Sequence, residues 1–338
     1  MEQLKFPEVI FGTSGLGNLY VALPDEKKLS IVNECLAHSQ QAVMFDSAGK
    51  YGAGLALEVL GRSLKQLQVH PADVLISNKL GWYRTALKTP EPTFEPGVWR
   101  NLQHDAVQKI SYHGILECYE QGNELLGDYP AKLVSVHDPD EYIAASENER
   151  ERQQRYQDIL DAYRALHELK KVGKVKAIGV GAKDWRIIAK IAADVKLDWV
   201  MIANSMTVHS HPAALVDFMI ELEQQGIAII NSSVFNGGFL TGSAYYNYQL
   251  TDPVKDKALY DWRERFHQLC FEYNIKPVAV CVIFGMSAPG VRSIALNTTQ
   301  AERVAQNVAL PHAIIPGGFW EEMEREGLID PVYASSYL

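Results

Sequence analysis

Short apolar runs recur along the chain, separated by longer stretches in which apolar residues return at helical spacing. The runs are EVIFGT (8–13), AVMFDS (42–47), VLISNK (74–79), LVSVHD (133–138), KAIGVG (176–181), WVMIAN (199–204), IAIINSS (227–233) and VRSIAL (291–296). Each is rich in Val and Ile and too continuously apolar for a strand with one wet face. Such runs suit a parallel sheet covered on both sides. Residues 24–40 open with Pro-Asp-Glu, a favourable first turn, and place Leu29, Val32 and Leu36 on one face. Residues 54–67 repeat that pattern. The stretch 155–174 ends in lysines and Gly173, residues that favour a helix C-terminus. Residues 211–226 and 298–310 behave likewise.

Eight strands alternating with helices predict an α/β protein with a (β/α)8 barrel, and a doubly wound open sheet is the alternative. No Gly/Ser linker or low-complexity stretch divides the chain, so residues 1–338 read as one domain. Two segments read as insertions. Residues 82–105, aromatic and Pro-rich, follow the third run and suit a wall over an active site. Residues 141–154, mostly charged, follow the fourth and read as a solvated loop and helix start. Residues 311–338 read as a C-terminal tail.

Composition narrows the function classes. The 338 residues are 47% hydrophobic and 22% charged, proportions that exclude a disordered or collagenous chain. The net charge of −9 argues against a nucleic-acid module, whose footprint is a basic face, yet leaves room for a local pocket holding one anionic cofactor. Cys35, Cys118, Cys270 and Cys281 are scattered without C-x-x-C spacing, so no disulfide framework or zinc site is expected and a cytoplasmic location is. The N-terminal MEQLKFPEVIFGTSG lacks the basic segment and apolar core of a leader. No run approaches the roughly 18–20 apolar residues of a membrane span. His209 and His211, at i, i+2, form no recognised ligand set, so no metal is expected.

Chemistry in such a barrel gathers at the C-terminal ends of the strands. Asp46 ends the second run, Tyr51 follows it on a Gly-flanked loop, Lys79 ends the third run and His137 ends the fourth. A free tyrosine ionises near pH 10, too high for efficient proton exchange at neutral pH. A lysine ammonium beside a phenol favours the phenolate, and an aspartate beside the lysine keeps it charged and placed. A histidine can hydrogen-bond and orient a substrate oxygen. The set suits proton transfer at a carbonyl or alcohol oxygen while a hydride moves at carbon.

FDSAGKYG, NKLG, VHDPD and IGVG, in this order, resemble the aldo-keto reductase superfamily, over nearly the whole chain. GLGNLY, SYHGILECYEQGNELLG, HDPDEY, NGGFLTG and IIPGGFWEEMEREGLI resemble segments of its D-threo-aldose 1-dehydrogenase (L-fucose or galactose dehydrogenase) group. The resemblance implies Tyr51 as general acid/base, Lys79 as its tuner, Asp46 as the partner of Lys79, and His137 as the orienter of the substrate oxygen. It also implies a nicotinamide cofactor bound without a Rossmann fold, which agrees with the lack of a strand-linked G-x-G-x-x-G. Along that cofactor the resemblance places Gly12, Thr13, Asp46, Asn204, Ser233, Phe235, Gly237, Gly238 and Leu240. Asn297, Thr298, Arg303, Gln306 and Asn307 fall at its adenosine end. Gly237 and Gly238 are expected to let backbone N–H groups approach a pyrophosphate. Thr298 and Thr299 are expected to cap the last helix and leave its N-terminal dipole for a phosphate.

This chain departs from the pattern in places. Members that prefer NADP usually carry Lys or Arg just before that helix, and here the position is Asn297, so NAD is expected, with NADP the alternative through Arg303. GAKDW replaces the usual Asn after the fifth strand, and ANSMTVHSHP lacks an Arg-Tyr pair after the sixth; Asn204 or Ser205 is then the amide partner. Trp82, Tyr83 and Trp185 are the aromatic candidates for stacking on a sugar. The expected activity moves a hydride between the nicotinamide and C1 of a small aldose of L-fucose or galactose type, in either direction, with no nucleic-acid or membrane partner and with monomer or homodimer both open. The rivals are a reductase of non-sugar aldehydes or a pyridoxal-type dehydrogenase, a nicotinamide-sensing binding protein, and a hydrolase using Asp46 and Asp138.

Overall fold

The computed structural model describes residues 5–39 and 43–338. The first four residues of the segment read for a leader, and Gln40 and Ala42 at the edges of the first predicted helix and second predicted run, lie outside the described residues. Each of the eight apolar runs supplies one strand: β1 (Val9–Gly12), β2 (Val43–Ala48), β3 (Val74–Leu80), β4 (Leu133–His137), β5 (Ala177–Ala182), β6 (Trp199–Ala203), β7 (Ala228–Ser232) and β8 (Val291–Leu296). They close a barrel in the order β1-β8-β7-β6-β5-β4-β3-β2, the (β/α)8 architecture. The continuous apolar runs have their cause in this arrangement: every residue of β2, β4 and β5 is buried, so neither face of those strands meets water.

By contact the described chain divides into two compact units. The first comprises the chain up to Ala182, Arg186–Val200 and Ala295–Val308. Its strands pair in parallel, with Gly12 opposite Asp46, Ala48 opposite Lys79, Lys79 opposite Ser135 and His137 opposite Gly181. Helices Asp25–His38, Leu55–Gln66, Tyr112–Leu126 and Glu149–Lys171 follow the first four of those strands. Gly179 of β5 is required sterically, because a Cβ there would stand 2.2 Å from the buried Trp199 ring. Tyr163 donates to the Gly179 carbonyl at 3.0 Å from the covering helix.

Both insertions turn out more ordered than their sequence suggested. Trp82–Ala86 and His104–Gln108 form an antiparallel ladder, with Thr93 on the intervening loop anchored to the Asp105 carboxylate by its N–H and hydroxyl. The charged stretch 141–154, expected as a solvated loop and helix start, does hold the start of the long helix, but its loop is shorter than expected. Glu141 lies in a short helix, Pro139–Ala144, and the long helix already begins at Glu149, where Asn148 accepts the Glu151 N–H. Its charges occupy helix surfaces, which composition cannot distinguish from a loop.

The second unit comprises Lys183–Trp185, Met201–Ile294 and Ala309–Leu338. It carries helices Ala213–Gln224, Lys257–Glu272 and Pro277–Ser287. The expected tail holds two more, Gly317–Arg325 and Pro331–Tyr337. The last is started by Asp330, which accepts the N–H groups of Val332 and Tyr333, and Tyr333 packs on Phe284 at 4.7 Å between ring centroids. No single helix among the described residues is long and apolar enough to cross a membrane. The four cysteines are unpaired and buried, and burial pushes the Cys118 and Cys270 thiols up to about 12.

Candidate active site

Parallel pairing brings the ends of β2, β3 and β4 to one rim of the first unit, and with them Asp46, Lys79 and His137. The Lys79 ammonium pairs with Asp46 Oδ2, both side chains being 5% exposed or less. A pair this buried is held by its surroundings: Thr13 donates its N–H and its hydroxyl to the Asp46 carbonyl at 3.0 and 3.1 Å. Asp46 Oδ1 has no hydrogen-bond partner among the described residues.

Tyr51 reaches this pair from the loop after β2. That loop crosses the Ser14–Gly17 turn at a distance only glycine tolerates. A Cβ on Gly52, whose φ is +62°, would lie 2.3 Å from the Gly17 carbonyl oxygen. The Lys79 ammonium lies 4.8 Å from the Tyr51 ring centroid, and the His137 ring meets Tyr51 edge-on at 5.6 Å. The four residues singled out from the sequence therefore form one constellation of acid, amine, phenol and imidazole.

The 82–105 insertion covers the tyrosine. Phe94, Trp99 and Leu102 form a buried cluster with Ala53 and Ala106, against which Tyr51 and Trp82 pack, and Trp99 stands 5.8 Å from the Tyr51 ring. Trp82 and Tyr83 are neighbours on a strand and face opposite ways. Trp82 joins this cluster, whereas the Tyr83 ring is capped by the Lys109 ammonium at 4.0 Å, so the structure brings only the first to the tetrad. Sequence reasoning missed Lys50, directly before Tyr51. It is 4% exposed, with its ammonium within 2.8–3.3 Å of Glu95, Asp138 and Glu141. Its only signal was a lysine in an otherwise small and apolar loop, since its acceptors sit up to 91 residues away.

The residues assigned to a cofactor fall in both units. In the first, Gly12 and Thr13 lie beside Asn297: a Cβ on Gly12 would meet Asn297 Cβ at 3.4 Å, and Asn297 donates to Ser14 Oγ at 2.9 Å. The expected helix cap is corrected here. Thr298 accepts the Gln300 N–H in a local turn, Gln300 is the cap position without a side-chain cap bond, and the helix opens as a 3-10 turn at Ala301. Thr298 sits two residues too early to cap it. Arg303 and Gln306 are exposed, and Asn307 is half-buried.

In the second unit, Asn204 is buried in a left-handed conformation, and its Oδ1 has no partner among the described residues. Ser205 instead donates to the Lys183 carbonyl at 2.6 Å. Ser233 shares a hydrogen bond with the Tyr248 hydroxyl, while Gly238 and Leu240 both donate to the Phe235 carbonyl. These glycines thus serve the turn first: a Cβ on Gly237 would stand 2.9 Å from the Tyr248 nitrogen, and Gly238 holds φ +92°. Trp185 stacks on Phe218 at 5.9 Å.

Residues 8–324 match the aldo/keto reductase family. The chain is 26% identical to the pyridoxal 4-dehydrogenase of Microbacterium luteolum, over 94% of this chain and 93% of that one. It is also 26% identical to the D-threo-aldose 1-dehydrogenase of a Pseudomonas species, over 96% of this chain and 95% of its relative. The fold is shared with the glycerol dehydrogenase of Gluconobacter oxydans, at a TM-score of 0.69 and 16% identity over 98% and 97% of the two chains.

Proposed function

The chain belongs to the aldo/keto reductase family of NAD(P)-dependent oxidoreductases, and within it we propose a dehydrogenase that oxidises C1 of a small aldose in its cyclic hemiacetal form to a lactone. The observation that carries this reading is the convergence of Tyr51, Lys79, Asp46 and His137 at one rim. A cation at the face of the Tyr51 ring favours phenolate, and Asp46 holds that cation in place. The phenolate takes the proton of the C1 hydroxyl, and His137 hydrogen-bonds the same oxygen to orient it. Phe94 and Trp99, buried against the Tyr51 ring, exclude water from the tyrosine, and the half-buried Trp82 is the ring offered to an apolar sugar face.

The residues present fit a bound nicotinamide. The buried, unpartnered Asn204 Oδ1 is an acceptor suited to a carboxamide N–H. When bound, the nicotinamide supplies the acceptor for the hydride leaving C1. Gly12, Thr13, Asn297, Arg303, Gln306 and Asn307 would hold the adenosine end, and the Ser233–Leu240 loop the pyrophosphate. With Asn297 in place of a cation, NAD is the proposed partner in preference to NADP. A cytoplasmic location belongs to the same proposal.

A second substrate has support of its own. Pyridoxal carries a hydroxymethyl group beside its aldehyde and also closes to a cyclic hemiacetal, so the same proton removal yields a lactone. The pyridoxal dehydrogenase of Microbacterium luteolum is as similar to this chain as the aldose enzyme is. The test is nicotinamide absorbance across L-fucose, galactose-type aldoses, aromatic aldehydes and pyridoxal, with NAD and with NADP. Turnover of a hemiacetal with NAD is expected, and Tyr51→Phe should cut kcat by about 10²- to 10⁴-fold. No turnover on any hemiacetal, or full activity in Tyr51→Phe, overturns the reading.

A further inference from the structure

A buried ammonium beside the tetrad has no place in the proton path above. Lys50 is 4% exposed and makes three ion pairs: with Glu95 Oε1 at 2.8 Å, Glu141 Oε2 at 3.0 Å and Asp138 Oδ2 at 3.3 Å. These join the tyrosine loop, the 82–105 insertion and the corner after β4. Two of the three acceptors are shared with groups that touch Tyr51. Glu95 uses its other oxygen to accept the Trp99 indole N–H at 2.6 Å, and Trp99 packs on the Tyr51 ring. Asp138 Oδ2 also lies 3.6 Å from His137 Nε2, and His137 meets the same ring edge-on. Two arms thus run from one ammonium, through Glu95 and Trp99 and through Asp138 and His137, and both end on the tyrosine.

We propose that Lys50 is a positioning residue, which sets the placement of Trp99 and His137 against Tyr51 and offsets the negative charge of the carboxylates that hold them. The proposal rests on the reading of Tyr51 as the proton acceptor. Burial alone would push the Lys50 ammonium down, but Asp138, Glu95 and Glu141 outweigh it and hold it above the ordinary lysine value. Lys50 therefore stays charged across the working pH range. The titratable and charged groups around the phenol include Lys79 with Asp46, the His137 ring, and, through the arms, Lys50 with Glu95, Asp138 and Glu141. Loss of Lys50 removes one positive charge from beside Glu95, Asp138 and Glu141 and makes the surroundings of the tetrad more negative. That favours protonated tyrosine and demands a higher pH for oxidation.

The test compares Lys50→Met and Lys50→Arg with wild type by kcat, pH profile and tryptophan emission. Lys50→Met is expected to lower kcat about 10- to 100-fold through misplacement and to move the ascending limb of the oxidation profile up by about one pH unit. Lys50→Arg should restore most of both. Tryptophan emission of the Met variant should shift to the red, with stronger acrylamide quenching, as Trp99 loses its seat. Wild-type kcat and profile in Lys50→Met overturn the proposal, as does a loss of kcat with no pH shift and no rescue by Arg. If Lys50→Met fails to fold, Glu95→Gln should change the emission and Asp138→Asn the pH limb; no change in either overturns it. The emission readout needs no turnover. An enzyme inactive on every hemiacetal sinks the proposed function, while an unmoved emission sinks the role of Lys50.

Discussion

The loop carrying Tyr51 and the loop after β7 are both built around glycines, yet they are held by opposite kinds of force. Around Tyr51 the restraints are ionic and buried: Lys79 on Asp46, and Lys50 on three carboxylates. The Ser233–Gly242 segment is held by its own backbone, with Asn236, Gly238, Leu240, Thr241 and Gly242 each donating to a carbonyl three to five residues earlier. Its outer support is Arg263, which lies 4.1 Å from the Phe239 ring and donates to the Phe239 and Ser243 carbonyls, together with His267 on the Leu240 carbonyl. A site fixed by charge responds to charge changes over a wide radius. A loop fixed by neutral turns responds to shape.

The most forceful way to break this contrast is at Lys79. Lys79→Met removes one partner of a buried pair and strands Asp46, a change that costs about 3–5 kcal/mol of stability in comparable cases. It also removes the cation from the Tyr51 ring, and a fall in kcat of about 10²-fold or more is expected. Denaturant titration with steady-state kinetics checks both. A variant with wild-type stability would mean that the pair is not what holds this rim.

Next in size is Gly52→Ala. The added Cβ would stand 2.3 Å from the Gly17 carbonyl at a φ of +62°, so the tyrosine loop must move. A loss of about 1–3 kcal/mol is expected, with kcat falling more than KM rises. Retention of kcat would show that Tyr51 is placed by Trp99 and His137 rather than by its own loop.

These two sites also mark what was readable in the sequence. The eight strands were legible because a strand buried on both faces is apolar without interruption. Asp46, Lys79 and His137 were legible because parallel register carries strand ends to one rim. Helix Pro277–Ser287 was not, since PVAVCVIFGMS is apolar all round and has no periodicity to separate it from a strand. Lys50 was illegible for a different reason: a lone lysine looks solvated until Asp138 and Glu141, 88 and 91 residues on, fold against it. Thr298 and Thr299 misled in the other direction, as residues of capping type placed before a turn that begins at Ala301 and has Gln300 at its cap position.

A smaller effect is expected from Arg263→Met, which cuts the outer support of the neutral loop. If the backbone turns carry that loop, kcat should hold within about twofold and KM for the nicotinamide should rise no more than about tenfold, or about 1.4 kcal/mol. A collapse in kcat comparable to Lys79→Met would erase the distinction between the two regions.

The smallest effect is on acid stability, and it belongs to the second unit. Burial lowers the pKa of His209, with help from the His211 charge. Burial likewise lowers that of His211, against the opposing Thr207 carbonyl and Asp330. His211 Nε2 accepts the Asp330 N–H at 2.9 Å, so its proton sits on Nδ1, which donates to the Thr207 carbonyl at 3.1 Å. In the unfolded chain both rings titrate near ~6.5. As pH falls below that value the unfolded state takes up protons that the folded state excludes, so this contribution is present at neutral pH and is lost toward acid. The melting temperature should drop by about 3 °C between pH 7 and pH 5, and His211→Gln should flatten the slope. Protection factors against hydrogen exchange, corrected for the slower intrinsic exchange at low pH, should fall with acid in Ala213–Gln224 and Pro331–Tyr337 before they fall in Leu55–Gln66. The reverse order would place the acid-sensitive restraints at Tyr51, where the buried lysines would then have to be the weaker set.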